Sequence, residues 1–127
     1  MSSRDPHGPG RLVAVAGLFS AKDREYQHRV DAVAARVRDL GGEVVARIVQ
    51  RRGVSDGGVQ LMGAPLSRRF LLGPGRLEEL ATACAAEGVD VVVFVNELDA
   101  HQRQSLADRL GRPVLSAADL EGPAAAL

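Results

Sequence analysis

Cations and carboxylates stand at separate places along this chain. Arg51 and Arg52 follow one apolar run, and Gly73-Pro74-Gly75-Arg76 leads into a second stretch with helical spacing. A helix start offers unpaired backbone N–H groups and the positive end of the helix dipole, which together hold anions. Arg51, Arg52 and Arg76, with Arg68 and Arg69 between them, could add forked guanidinium contacts to phosphate, sulfate or carboxylate. The spacing GxxxxGK[ST] of a P-loop is absent. Further on, Glu97 and Asp99 place two carboxylates almost side by side, with His101 one helical step beyond. A carboxylate within hydrogen-bond reach of a substrate proton can act as general base. Asn96 and Ser20 add neutral polar groups to the same candidate site. Each feature has a plainer reading. Asp99 and Gln102 have the spacing of a capping box, Gly-Pro-Gly is a common helix-starting turn, and paired arginines are often solvated. His7, His28 and His101 are scattered and Cys84 is the single cysteine, so no metal site and no cofactor are expected. Cys84 shares an apolar helix face and reads as core rather than nucleophile.

The elements that must position these groups alternate. Leu12 to Leu18 is a continuous apolar run, as in a strand buried on both faces. Tyr26, Val30, Val33, Val37 and Leu40 form one stripe of a helix over 23–40, which Gly41-Gly42 ends. Val44 to Val49 is a second strand. Arg51 to Arg69 has no periodicity and reads as a long loop, and Phe70-Leu71-Leu72 as a short strand. A second helix follows Gly73-Pro74-Gly75 and ends at Gly88. Val89 to Val95 is the clearest buried strand, Asp99 opens a third helix, and Pro113-Val114-Leu115 is a fourth strand. The alternation predicts an α/β fold, a small three-layer sandwich with a mostly parallel sheet of about four strands. We expect the order 2-1-3-4. That order gathers Ser20, Arg51, Arg52, Asn96, Glu97, Asp99 and Ser116 at the carboxyl ends of the strands, around the switch point where such sheets bind ligands. Residues 1–10 read as a flexible leader, 11–120 as one domain and 121–127 as a flexible tail.

The 127 residues carry 16 basic and 16 acidic side chains, a formal net charge of zero. That balance argues against broad DNA binding, which needs excess cations facing phosphate. The balance is uneven along the chain: residues 43–76 hold 6 basic and 2 acidic groups, net +4, whereas 77–127 hold 3 and 9, net −6. No apolar run reaches the roughly 18–20 residues of a membrane span. The N-terminus has no signal-peptide core, so a soluble cytoplasmic protein is expected. A single Tyr and no Trp leave little for stacking single-stranded nucleic acid.

Three segments in order, Val49-Gln50-Arg51-Arg52, Leu72-Gly73-Pro74-Gly75-Arg76-Leu77-Glu78-Glu79-Leu80 and Val92-Val93-Phe94-Val95-Asn96-Glu97-Leu98, resemble the N-terminal domain of the HflX family of GTPases. The resemblance covers about residues 11 to 120. It implies an α/β subdomain with a short parallel sheet. In that family a helical hairpin and a GTPase domain follow. The family binds the large ribosomal subunit and splits or rescues stalled ribosomes, and its N-terminal domain has been associated with ATP. This chain departs from the pattern. It ends where the hairpin would begin and has no guanine-nucleotide motif, so GTP hydrolysis is not expected. Asp99 to Ser105 replaces the family's Ser-Pro and Gln-Arg-Asn, and Ser116-Ala117-Ala118 replaces Asp-Arg-Thr.

Two functions of different class follow. In the first, a repurposed small enzyme acts on an anionic small molecule, by intramolecular substitution or elimination with sulfate or phosphate leaving, as in ring formation in specialised metabolism. Glu97 or Asp99 takes a proton, with His101 nearby. Arg51, Arg52 or Arg76 stabilises the leaving anion, with Gly73, Gly75, Asn96 and Ser20 in the binding site. In the second, the chain is a non-catalytic accessory that binds ribosomes, nucleotide or a partner protein. Ribosome binding is weakened by the missing hairpin. A homodimer would hide apolar helix faces that the hairpin otherwise covers.

Overall fold

The computed structural model describes residues 11–52, 70–122 and 125–127. The expected leader, the loop residues 53–69 and the side chain of Arg52 lie outside the described residues.

Strand β1 (Arg11–Ser20), helix α1 (Tyr26–Asp39), β2 (Gly42–Arg52), α2 (Pro74–Glu87), β3 (Val91–Phe94), α3 (Ala100–Leu110) and β4 (Val114–Ser116) follow in order, and a 3₁₀ turn over Ala117–Leu120 closes the series. The sheet order is β2-β1-β3-β4, as expected, and every pairing is parallel. The fold is thus a three-layer α/β domain, with α2 and α3 on one face and α1 with the 3₁₀ turn on the other.

The apolar runs explain the layers. Ala14, Ala16, Val92 and Phe94 point to the α2/α3 face and meet Leu77, Leu80, Cys84, Leu106 and Leu110. Their neighbours Val13, Val15, Val91 and Val93 point the other way and meet Val30, Val33, Val37 and Leu120. Side chains of a strand alternate between faces, so a strand buried on both sides must be apolar throughout. Burial pushes the Cys84 thiol above its ordinary range, against the milder pull of Arg112.

In β2 that alternation is interrupted once. Val13 pairs with Val44 but Ala14 pairs with Ala46, so Val45 is an extra residue in the ladder. Beyond it Ile48 joins the α2/α3 side, while Val49 joins the α1 side with Val44.

Side chains extend the short strand β3 at both ends. The Leu12 N–H donates to Asp90 Oδ2 at 2.8 Å, and the Leu18 N–H donates to Asn96 Oδ1 at 2.9 Å. The expected strand over 89–95 spans β3 with one backbone bond beyond each end, since the Asp90 and Val95 N–H groups donate to the Leu12 and Ala16 carbonyls at 2.7 and 2.9 Å.

The helix ends follow sequence cues. Asp99 caps α3 by accepting from the Gln102 N–H at 2.7 Å, and Gln102 Oε1 accepts from the Asp99 N–H at 3.0 Å. Gly88 and Gly111 end α2 and α3 with φ of 66° and 69°, a left-handed turn that glycine adopts without strain. Arg112 then donates to the carbonyls of Cys84, Val89 and Leu110, tying both helix ends together.

Two expectations are corrected here. Phe70-Leu71-Leu72 is no strand: Leu71 has φ of 68° and the Leu72 N–H donates to the Phe70 carbonyl at 2.6 Å, so the chain turns sharply into α2. Helix α1 starts at Tyr26 rather than Asp23, because Asp23 Oδ1 accepts from the Glu25 N–H at 2.9 Å and holds a turn. At the far end, Leu127 packs on the α1 side, beside Val37 and Gly42.

Candidate functional site

The topology does bring the carboxyl ends of β1, β2 and β3 to one edge, yet most of the candidate groups there are engaged by the fold itself. Asn96 is the central case. Its side chain accepts from the Leu18 N–H and donates to the Leu18 carbonyl, both at 2.9 Å. The amide copies a peptide group and bridges β1 to the end of β3. This is the switch point between strands that diverge on either side of β1, the usual ligand crevice of such sheets. Here that crevice is stitched across at the Leu18 backbone.

Arg51 and Arg76 also have partners within the fold. The Arg51 guanidinium donates to the Ala21 carbonyl and, at 3.3 Å, to the Asp23 carbonyl. It lies over the Tyr26 ring, 4.2 Å from the centroid, a favourable cation–π placement. Arg29 sits likewise over Phe19 at 5.2 Å and pairs with Asp23 at 2.6 Å. The Phe19 and Tyr26 rings are 5.6 Å apart. Two arginines and two rings thus close the β1–α1 corner. Arg76 pairs with Glu79 at 2.7 Å, with both side chains about half exposed. Such an exposed pair is worth only about 0–1 kcal/mol and opens readily.

At the start of α2 the Gly73 N–H donates to Gln50 Oε1 at 2.8 Å. Pro74 has no N–H, so Gly75 and Arg76 supply the remaining first-turn donors. A Cβ built on Gly75 would meet nothing within 4 Å. That position is open to solvent.

Of the acids, Asp99 is committed to its cap. Glu97 is exposed and forms no hydrogen bond or ion pair with the described residues. His101 is exposed on the first turn of α3. Ser20 Oγ accepts from the Lys22 N–H at 3.1 Å in the turn after β1. Ser116 is buried, and its N–H donates to Asp119 Oδ2 at 2.9 Å, where Arg103 also donates at 2.9 Å. The Ser116 N–H bond, helped more weakly by the Arg103 guanidinium, holds the Asp119 carboxyl below the usual carboxylate range against an upward push from burial.

Sequence reasoning missed the Phe19–Tyr26–Arg29–Arg51 stack and the Gln50 anchor. The spacing of Tyr26 and Arg29 on one helix, beside a strand ending in Phe19, was the available signal for the stack. Gln50 gave only a polar residue at a strand end. A surface cleft of about 380 Å³ lies between α1 and β2, lined by Tyr26, Gln27, Val30, Asp31, Arg47 and Val49. Among the described residues no three His, Cys, Asp or Glu gather into a metal-binding set, and no helix is long and apolar enough to cross a membrane.

No curated protein matches the chain. A family model described as GTP-binding GTPase N-terminal does match, over residues 27–120, which runs from the second residue of α1 through the 3₁₀ turn and includes Asn96, the Gly73 helix start and the Asp119 cap. The chain therefore belongs to this family, that of the HflX-type N-terminal domains.

Proposed function

We propose that this domain is a non-catalytic binding module that docks on the ribosome. The family membership supplies the setting, since HflX proteins act on the large ribosomal subunit. The observation that carries the non-catalytic part is the Asn96–Leu18 bridge across the switch point. At that switch point Asn96 spends its side-chain amide on the Leu18 backbone. Arg51, Gly73 and Asp99, three of the groups expected to hold an anion or take a proton, likewise serve internal contacts. A catalytic base must reach its proton, and an anion donor must be free to move onto charge as it develops. Glu97 and His101, exposed at the same edge, then act as surface groups that meet a partner.

The test is sedimentation with purified ribosomes at two salt concentrations. Co-migration that weakens with salt supports the reading, because contacts to phosphate release counterions. Absence of co-migration at the lower salt removes it. Turnover of an anionic small molecule that is lost in Glu97→Gln would favour the enzyme reading instead, with Glu97 as base and Arg76 with the Gly73–Gly75 turn as anion site.

A further inference from the structure

We propose that β2 accepts an extended acidic peptide as a fifth strand, with one apolar side chain seated in the cleft between α1 and β2. The two edges of the sheet are unlike. The β4 edge is three residues long, whereas β2 runs for eleven and pairs only with β1 among the described residues. A long edge strand presents a row of backbone donors and acceptors to any chain that can lie beside it. The cleft adjoins this edge on the α1 side, with Tyr26, Val30 and Val49 as apolar lining and Asp31 and Arg47 paired at 2.8 Å. Strand addition uses these two elements together: backbone bonds supply affinity and a pocket for alternate side chains supplies selectivity.

Charge and register define the occupant. Arg47, Val49 and Arg51 alternate along β2, so they share one face beyond the extra residue Val45. Arg51 reaches Tyr26 and Val49 packs with the α1-side cluster, so that face is the α1 face. A strand laid beside it meets Arg47, Val49 and Arg51; the exposed Arg51 spends one nitrogen, Nη2, on two backbone carbonyls and has no carboxylate partner among the described residues, so its charge is left to meet an acid. The complement of this face is acid, apolar, acid at every second residue. The Arg47–Asp31 pair does not prevent this, since its side chains are 44% and 67% exposed and such pairs are weak. A second copy of β2 fits less well. Antiparallel pairing about the middle of Gly42–Arg52 sets Arg47 directly against Arg47, and like charges opposite each other destabilise a ladder. Nucleic acid has phosphates for the arginines but no peptide groups for the strand edge.

The probe is an acetylated and amidated peptide, Asp-Thr-Val-Thr-Asp, titrated into the isotope-labelled full chain and followed by amide shifts. Saturable shifts confined to 26–31 and 42–51, with cross-strand contacts to β2, are the expected result. Arg47→Glu should weaken binding at least about tenfold while its own spectrum stays folded, and Arg47→Lys should retain it. Of two peptides N-methylated at Val or at the following Thr, one should lose binding, because only alternate amides face β2. The proposal is overturned by shifts elsewhere, by equal binding of the two methylated peptides, by equal binding of a Lys-Thr-Val-Thr-Lys peptide, or by no saturation at millimolar peptide. This outcome is independent of ribosome sedimentation.

Discussion

The two faces of the sheet are closed by different means. On one, α2 and α3 lie side by side, and Leu77, Leu80, Cys84, Leu106 and Leu110 cover Phe94, Val92 and the alanines of β1. Polar contacts there hold helix ends through Arg112 and join the exposed flanks of the two helices through Arg109 and Glu78. On the other, the single long helix α1 contributes mainly valines, and guanidiniums complete the cover. Arg36 reaches from α1 to the Leu120 carbonyl at 2.5 Å, Arg103 reaches from α3 to Asp119, and Arg51 and Arg29 lie on the two rings. One helix is too narrow to cover four strands, and long arginine stems can carry both apolar cover and directed hydrogen bonds to a chain turn. The arginine-rich composition is thus partly structural on this side.

That contrast can be broken from either face. The largest loss is expected for Phe94→Ala, fully buried on the two-helix face, at about 3–5 kcal/mol by denaturant unfolding, since a cavity remains in a tightly packed layer. Arg36→Ala should cost about 1–3 kcal/mol by the same measurement, because the Leu120 carbonyl loses a charge-assisted bond. A loss below a few tenths would mean that the 3₁₀ turn is held by apolar packing alone. Asp119→Asn tests the clasp through pH. The carboxyl of Asp119 is held below its ordinary value in the folded state, so its contribution is present above the unfolded value of about 3.9 and is lost as pH falls. Thermal unfolding from about pH 5 downward should therefore show a shallower acid limb in the variant. The smallest effect belongs to Arg109→Ala. Its pair with Glu78 at 2.8 Å is 39% and 68% exposed, so a change of about 0–1 kcal/mol is expected. A larger loss there would erase the distinction between the faces.

Much of the architecture was legible in the residues. The apolar runs at 12–18 and 89–95, the stripe from Tyr26 to Leu40 and the Asp99–Gln102 spacing predict strands, helix and cap that the structure contains. Composition could not reveal the left-handed Leu71, because a single leucine carries no signal for positive φ. The candidate site was legible only as a gathering of residues at one edge. Whether Asn96 faces a ligand or a neighbouring strand depends on where Leu18 ends up, and a contact between residues so distant in sequence leaves no local spacing to read.

The extra residue in β2 has a consequence for insertions and deletions. Pairing runs Val13–Val44 and then Ala14–Ala46, so a chain lacking Val45 would join its two halves in plain register with every other side chain still on its present face. Loss of a single codon inside a strand ordinarily turns the rest of that strand inside out. At Val45 the same loss would leave Gln50 beside Gly73 and Arg51 beside Tyr26, whereas a deletion three residues further on, at Ile48, would exchange them. Length variation in this strand is therefore tolerable at the bulge, residues 45 and 46, and costly at the positions beyond it.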